Sequence, residues 1–436
     1  MLAISVACDL HTRSIDFVQA YTQSDIKTDI YMELPWSFDK YDGVYVLKLK
    51  SNFYGLCDAG LAWFEHLKKG LELRGLKQSK LDPCLFLKKD LIVIVYVDDC
   101  LIFSTKLEVV EEFLESMRKR KPGEEHPFED KGFDFTDDGD LQTFLGVKFE
   151  REGDVLKMIQ PMLILRIIEA VSFDKVGVNS KPTPSTYILL KDENGEERKD
   201  VWSYRSVVGM LNYLANTTRP DISMAVHQCA RFSNEPKLSH EKAVKRIIKY
   251  LIGTKNLGLK IKVDMSLGFK AYADSDFANG WKKLNPDDIQ NLFSRTGFIT
   301  FFFGIPLTWC SKLQTRIALS STEAEYTALS TCLRDIILVM NLVKEIAKIV
   351  ELPTITPALK CTAFEDNESA IKVAKAPTLT PRTKHIALEM HHFRAYVATG
   401  LIDIESIDTL QQIADILTKP LGEQQFLYLR KLMMGE

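Results

Sequence analysis

Two adjacent carboxylates in the middle of an apolar run constrain this chain more than any other feature. Residues 91–103 read LIVIVYVDDCLIF, two β-rich segments separated by Asp98 and Asp99. Burying two ionised carboxylates side by side is costly, and each raises the pKa of the other unless a cation neutralises them. Hard divalent cations such as Mg²⁺ prefer such oxygens. An exposed turn also takes aspartates readily, and a lone Asp-Asp would say no more than that. Set as Tyr96-Val97-Asp98-Asp99 inside a strand–turn–strand, the pair points to a cation-binding hairpin.

The remaining composition frames this hairpin without naming its task. The chain has 436 residues, 46% hydrophobic and 26% charged, enough for two or three domains with ordinary globular cores. A net charge of −3 does not announce a nucleic-acid partner, so any such claim rests on local features. The eight cysteines are scattered and form no CxxC pair, which argues against a zinc or redox motif and fits unpaired thiols in a reducing compartment. The opening MLAISVAC is apolar but short and lacks the basic flank of a signal peptide. The longest apolar runs, residues 91–97 and 298–307, fall short of a membrane span and read as buried strands. No GxGxxG or P-loop pattern suggests a small-molecule cofactor enzyme.

Three regions follow from the pattern of elements. Residues 1–150 mix short strands with helices. A strand is expected at 44–49, helices at 59–73 (Leu61, Trp63, Phe64, Leu67 and Leu71 at helical spacing) and 107–119, and a mobile charged loop at 121–140. Residues 151–265 are expected to be largely helical after an opening hairpin, with linker-like stretches at 181–186 and 191–199. Within 237–262 there are eight Lys or Arg and one acidic residue, and Lys242, Lys245, Arg246 and Lys249 gather on one side of a helix. That side reads either as a solvated helix face or as a surface tracking phosphates. Residues 266–436 run strand, strand, strand (269–274, 297–303, 306–311), a long helix (320–350), strand (358–364), helix (368–374), helix (386–399), strand (402–407) and a last helix from 411, an α/β layered domain.

The hairpin Tyr96–Asp99 resembles the YxDD hairpin of reverse transcriptases, and residues 16–21 (DFVQAY) resemble that family's first palm strand. The resemblance extends to copia-type retrotransposon Pol blocks: 29–35 (DIYMELP), 52–64 (NFYGLCDAGLAWF), 81–86 (LDPCLF), 143–149 (TFLGVKF), 204–222 (YRSVVGMLNYLANTTRPDI) and 245–254 (KRIIKYLIGT). Together they cover nearly the whole chain. The resemblance implies that Asp16, Asp98 and Asp99 form a two-metal phosphoryl-transfer site. It also implies that Tyr21 crowds the sugar 2′ position, a role compatible with a core aromatic, and that Tyr96 faces substrate. Many copia-type sequences carry Gln where this chain has Asp58. That residue either alters nucleotide positioning or serves as a helix N-cap. Only 15 residues precede Asp16, so we expect the fingers segment to be incomplete and the sequence to be truncated at its N-terminus.

A second set of carboxylates lies in AYADSDFA, SSTEAEYTALS, FEDNESAI and QIADILTKPL, which resemble copia-type ribonuclease H. The resemblance implies a metal cluster of Asp274, Glu325, Asp366 and Asp415. Ser320-x-x-Glu323 reads as a capping box, which gives Glu323 a structural task and leaves Glu325 for metal; a register with Thr322 capping and Glu325 closing the box competes with it. Asp276 is expected at the surface. Glu365 is expected to be exposed, because neighbours on a strand face opposite sides. In RTKHI, His385 reads as a proton shuttle, as a phosphate contact with Arg382 and Lys384, or as a plain surface histidine.

The expected fold is a multidomain α+β and α/β chain: a reverse transcriptase palm with partial fingers over 1–150, a thumb- or connection-like region over 151–265 and a ribonuclease H-like α/β domain over 266–436. The expected activity is RNA-directed DNA polymerisation by in-line attack of a primer 3′-hydroxyl, with hydrolysis of RNA in an RNA·DNA hybrid. The expected cofactor is Mg²⁺ or Mn²⁺. The expected partners are an RNA template, a DNA primer, RNA·DNA hybrid and deoxynucleoside triphosphates, with Lys245, Arg246 and Lys249 as phosphate contacts, no membrane, and an intracellular site of action in a cytoplasmic particle or the nucleus. The competing readings are an element relic with nuclease activity only or none, and a non-catalytic nucleic-acid binder.

Overall fold

The computed structural model describes residues 1–35, 45–120, 125–172, 180–280, 292–352, 355, 359–376 and 388–436. Its chain is mixed α/β and divides into two compact units, Met1–Leu145 with Leu342–Thr356, and Gly146–Asn341 with Pro357–Glu436.

The first unit is built on a six-stranded antiparallel sheet. Its strands lie in the order Lys77–Gln78, Leu85–Lys88, Leu91–Tyr96, Asp99–Ser104, His11–Phe17, Phe135–Gly139. The apolar run at 91–103 becomes the two central strands, joined by Val97 and Asp98. Helices Ala59–Leu73 and Leu107–Met117 share one core with the sheet. Trp63, Leu67 and Leu71, four residues apart, give the first helix its buried stripe. Gly70 belongs to that helix because a Cβ there would come within 2.5 Å of the Phe133 ring.

The charged stretch expected to be a mobile loop is otherwise where it is described. Residues 121–124 lie outside the described residues, but Asp130 forms a buried ion pair with Arg74 at 2.5 Å, and Phe135–Gly139 is an edge strand of the sheet. The aromatic anchors Phe133 and Phe135 outweigh the surrounding charge, each burying a large apolar area. The strand expected at 44–49 shrinks to Leu47–Lys48, paired with Tyr31–Met32, with Val44 outside the described residues.

The second unit opens with the expected hairpin, Val147–Glu152 and Val155–Ile159, extended by Leu259–Ile261. Helices Pro161–Ala170, Tyr204–Thr217, Ser223–Ala230 and Leu238–Gly253 pack into a common core with a second sheet. That sheet has the order Ile305–Leu313, Arg295–Phe302, Phe269–Asp276, Cys361–Glu365, Ile402–Ser406. The first three strands in sequence are antiparallel neighbours, and the last two join parallel. Strand Arg295–Phe302 is buried at every residue, so both sheet faces are covered.

Helix Ser321–Val350 follows the antiparallel strands. Ser320 Oγ accepts from the Glu323 amide at 3.2 Å, and the Glu323 carboxylate accepts from the Leu319 amide at 2.7 Å, which settles the cap register in favour of Ser320. Two expected helices are broken. In place of one over 386–399 there is a 3₁₀ turn at Leu388–His391 and a short helix at Arg394–Ala398, with 386–387 outside the described residues. In place of one from 411 there are a 3₁₀ turn at Thr409–Gln411, a single turn at Asp415–Thr418 and helix Glu423–Met434. Pro420 and Gly422 lie between the last two and separate them, since proline lacks the amide a continuing helix needs.

Two candidate carboxylate sites

The first site forms where the central hairpin meets strand His11–Phe17. Asp16 and Asp99 face each other as cross-strand partners, and Asp98 occupies the turn. The turn is held from two sides: the Trp63 indole N–H donates to the Val97 carbonyl at 2.6 Å, and the Phe17 amide donates to the Asp98 carbonyl at 2.8 Å. Val97 itself has φ +58°, a left-handed conformation unfavourable for a β-branched residue. All three aspartates are half-buried. Burial, then Asp98 and Asp138, raises the pKa of Asp16, and burial, then Asp98 and Asp16, raises that of Asp99. Asp138, a residue the sequence reading did not single out, thus adds a fourth negative charge.

Around this site Tyr96 is exposed, and the Tyr21 ring lies 4.6 Å from that of Tyr54, both close to the start of helix Ala59–Leu73. Asp58 stands at the N-cap position of this helix, but its side chain makes no capping hydrogen bond and is exposed.

The second site gathers the ends of several elements. Asp274 lies on strand Phe269–Asp276, Glu325 one turn into the long helix, Asp366 just past strand Cys361–Glu365, and Asp415 at the start of its helical turn. One carboxylate oxygen each from Asp274, Glu325 and Asp366 lie within 4.8 Å of one another. Asp415 is brought alongside through Lys419, whose ammonium is 3.1 Å from Asp274 Oδ1 and 2.7 Å from Asp415 Oδ1. The Thr418 hydroxyl donates to the other oxygen of Asp274. Gln412 fixes this segment by donating to the buried Ala273 carbonyl at 2.9 Å. Gly297 makes the approach feasible, because a Cβ there would lie 2.5 Å from Thr418 Cγ2.

Burial, then the charges of Asp274, Glu365 and Asp366, pushes the Glu325 carboxyl up to about 11. Burial and Asp274 push Asp415 up to about 7. Glu325 Oε2 and Glu365 Oε2 are buried with no hydrogen-bond partner. Orphaned oxygens in a cluster of like charges suit a hard divalent cation, so the donor set fits Mg²⁺ or Mn²⁺.

Two expectations are corrected here. Glu365 is fully buried, not exposed: Cys361, Ala363 and Glu365 share the covered face of a strand paired on both sides. Burial alternates along this strand, but Asp366 lies past its end, so alternation does not set Glu365 and Asp366 on opposite faces. Asp276 is half-buried rather than on the surface, and burial raises its pKa to about 6. His385, Arg382 and Lys384 lie outside the described residues. On helix Leu238–Gly253, Lys245 bonds to Asp200 at 2.7 Å and to Glu241 at 2.8 Å, and Arg246 donates to Thr183 at 3.0 Å. Lys249 is half-buried on the same helix.

A family model described as reverse transcriptase (RNA-dependent DNA polymerase) matches residues 1–186. The retrovirus-related Pol polyprotein from transposon RE1 of Arabidopsis thaliana is 32% identical over 98% of this chain. Over nearly its whole length the chain is thus similar to retrotransposon Pol polyproteins, and its first 186 residues match the reverse transcriptase family. A second Pol relative, from transposon TNT 1-94 of Nicotiana tabacum, is 29% identical over 99% of this chain. The chain spans 27% of the RE1 polyprotein and 31% of the TNT 1-94 polyprotein. Among solved structures, the N-terminal RNase H domain of a Mycobacterium tuberculosis protein, fused to maltose-binding protein, matches 38% of this chain and 97% of that one, at 14% identity and a TM-score of 0.23.

Lys419, Thr418 and Glu365 are neighbours of the buried carboxylate cluster that sequence reasoning missed. Lys419 had a signal, lying four residues past Asp415 and so on the same side of a helical turn.

Proposed function

We propose that this segment is an RNA-directed DNA polymerase carrying a ribonuclease H activity. The observation that carries the proposal is the assembly of two separate carboxylate sets, one from Asp16, Asp98 and Asp99 and one from Asp274, Glu325 and Asp366, each drawn from elements distant in sequence. Core packing does not require such costly gatherings, whereas phosphoryl transfer does.

Asp16, Asp98 and Asp99 would hold Mg²⁺ in the first site, and Asp274, Glu325 and Asp366, with Asp415 beside them, in the second. The bound ions supply charge neutralisation and acidify the attacking oxygen. The protein supplies position. The hydrogen-bonded turn at Val97 and Asp98 fixes the first carboxylates on a rigid hairpin, where a primer terminus and a deoxynucleoside triphosphate would be aligned. Tyr21, backed by Tyr54, presents a ring at the site's edge and would disfavour a 2′-hydroxyl by clash. In the second site Asp274, Glu325 and Asp415 are buried and Asp366 is half-buried, so Asp366 is the carboxylate most open to an approaching strand. In this reading the first unit contains a palm and part of the fingers, and the helices over 151–265 act as a thumb or connection. Phosphate contact by Lys245 would require it to release Asp200 and Glu241, so this helix contributes less to binding than its charge suggests. The setting of such an activity would be a cytoplasmic particle or the nucleus.

The test is a paired assay with Mg²⁺, primer extension on an RNA template and cleavage of a labelled RNA·DNA hybrid. Asp98→Asn should abolish extension and spare cleavage, and Asp274→Asn should do the reverse. Cleavage without extension in the parent would reduce the reading to a nuclease. Folded protein with neither activity would sink it.

A further inference from the structure

We infer that Lys419 is a built-in second cation of the buried cluster, so that the cluster takes one divalent ion on Asp274, Glu325 and Asp366 while the lysine holds Asp274 to Asp415. This rests on the reading of the cluster as a metal site.

The four carboxylates are not equivalent. Three of them offer oxygens within 4.8 Å of one another, and Asp415 does not belong to that group. Asp415 is instead tied to Asp274 by the Lys419 ammonium, at 2.7 Å and 3.1 Å from the two Oδ1 atoms. Thr418 takes up the second oxygen of Asp274. A divalent ion bridging Asp274 and Asp415 would compete with the ammonium for the same oxygens.

The lysine is placed rather than incidental. Its amide donates to the Asp415 carbonyl at 2.9 Å, closing the helical turn, and Pro420 follows at once. The turn is set against the sheet by Gln412 and admitted by Gly297. A lysine bridging two carboxylates is not in itself unusual, since Lys245 does the same with Asp200 and Glu241. Lys419 differs in its setting: it stands at the edge of an acidic cluster in which Glu325 Oε2 and Glu365 Oε2 lack hydrogen-bond partners, and its side chain remains 34% exposed. Lysine is a compact point charge on a flexible stem, suited to standing where a metal ion would otherwise be needed. Lys419 is therefore a positioning residue. It holds Asp415 at the site and offsets the negative charge that would draw in a second ion.

The experiment counts Mn²⁺ bound to the whole chain by calorimetry and electron paramagnetic resonance, with Mn²⁺ alone as the ligand. Sites belonging to the cluster are those lost in Asp274→Asn. The parent should show one such site. Lys419→Met should bind a second Mn²⁺ at least tenfold more tightly than the parent does, and Lys419→Arg should keep one. Melting curves without metal establish that each variant is folded. Two tight cluster sites in the parent would overturn the inference, whether or not any variant folds, and so would a folded Lys419→Met with one site only. No Asp274-dependent site in the parent would instead overturn the metal reading of the cluster, a separate and recognisable failure.

Discussion

The hairpin site and the buried cluster answer the same electrostatic problem in opposite ways. At the hairpin, Asp16, Asp98 and Asp99 are half-buried, Asp138 adds to their charge, and among the described residues no Lys or Arg is ion-paired with the three. Water does the screening, and the backbone does the holding. At the cluster, Asp274, Glu325, Glu365 and Asp415 are buried, and Lys419 with Thr418 supplies internal compensation. Water cannot screen there, so protons or cations must. The comparison teaches that a half-buried carboxylate set can be placed by one rigid turn and the strand paired beside it, whereas a buried one needs an entire packed scaffold. Damage should follow that division.

The largest effect should come from Gly297→Ala. The added Cβ would lie 2.5 Å from Thr418 Cγ2 and 2.9 Å from Leu417 Cβ, so the Asp415–Thr418 turn must move. Overpacking of this kind costs about 1–3 kcal/mol. We expect a lower melting temperature and a loss of hybrid cleavage on the order of a hundredfold, through misplaced Asp415 and Lys419. Primer extension should change little. Equal loss of both activities would erase the distinction between the sites.

A pH series sharpens the same contrast. Asp415 rises from 3.8 to about 7 and Glu325 from 4.5 to about 11 on folding. The folded state thus keeps protons that the unfolded chain has released. Stability without metal should fall as pH rises through this window. A divalent ion binds the deprotonated form, so Mg²⁺ should raise the melting temperature more at pH 8 than at pH 5.5. In Asp274→Asn that pH-dependent gain should shrink. An Mg²⁺ effect independent of pH would contradict the proposed proton–metal exchange.

How much of this was legible in the sequence follows the same division. The hairpin was readable because its signal is local: strand residues, a turn and two aspartates lie within one short segment. Helix Ala59–Leu73 was readable from Trp63, Leu67 and Leu71 at helical spacing. In the cluster, the partners come from four segments, and a residue's exposure depends on what covers its strand. Glu365 shows this: it ends strand Cys361–Glu365 on the buried face, while Asp366 lies past the strand, where alternation no longer places neighbours on opposite faces. The segment after Lys121 was misread because its charges are local, while the burial of Phe133, Phe135 and the Arg74–Asp130 pair is not. Lys245 carried a similar ambiguity: its spacing on the helix was visible, but its partner Asp200 was not.

A smaller effect should follow Trp63→Phe, which keeps the ring in the core and removes the hydrogen bond to the Val97 carbonyl. A hydrogen bond of this type contributes about 1 kcal/mol. Extension should drop several-fold through a looser turn, and cleavage should stay within twofold of the parent. If cleavage falls as much as extension, the indole bond is not specific to the hairpin site.

The smallest and most pointed test is Val97→Gly. Left-handed backbone costs a non-glycine residue about 1–2 kcal/mol, and Val97 has φ +58°. Glycine removes that strain but gives back about 0.5–1 kcal/mol in unfolded-chain entropy. Val97 is 42% exposed, so little packing is lost. The net change in stability should therefore lie between zero and a gain of about 1 kcal/mol. Activity separates two roles for the strained turn. If strain merely accompanies the hairpin, extension should be unchanged. If the side chain or the stiffness of the turn positions Asp98, extension should fall while stability holds or rises, and cleavage at the buried cluster should not change.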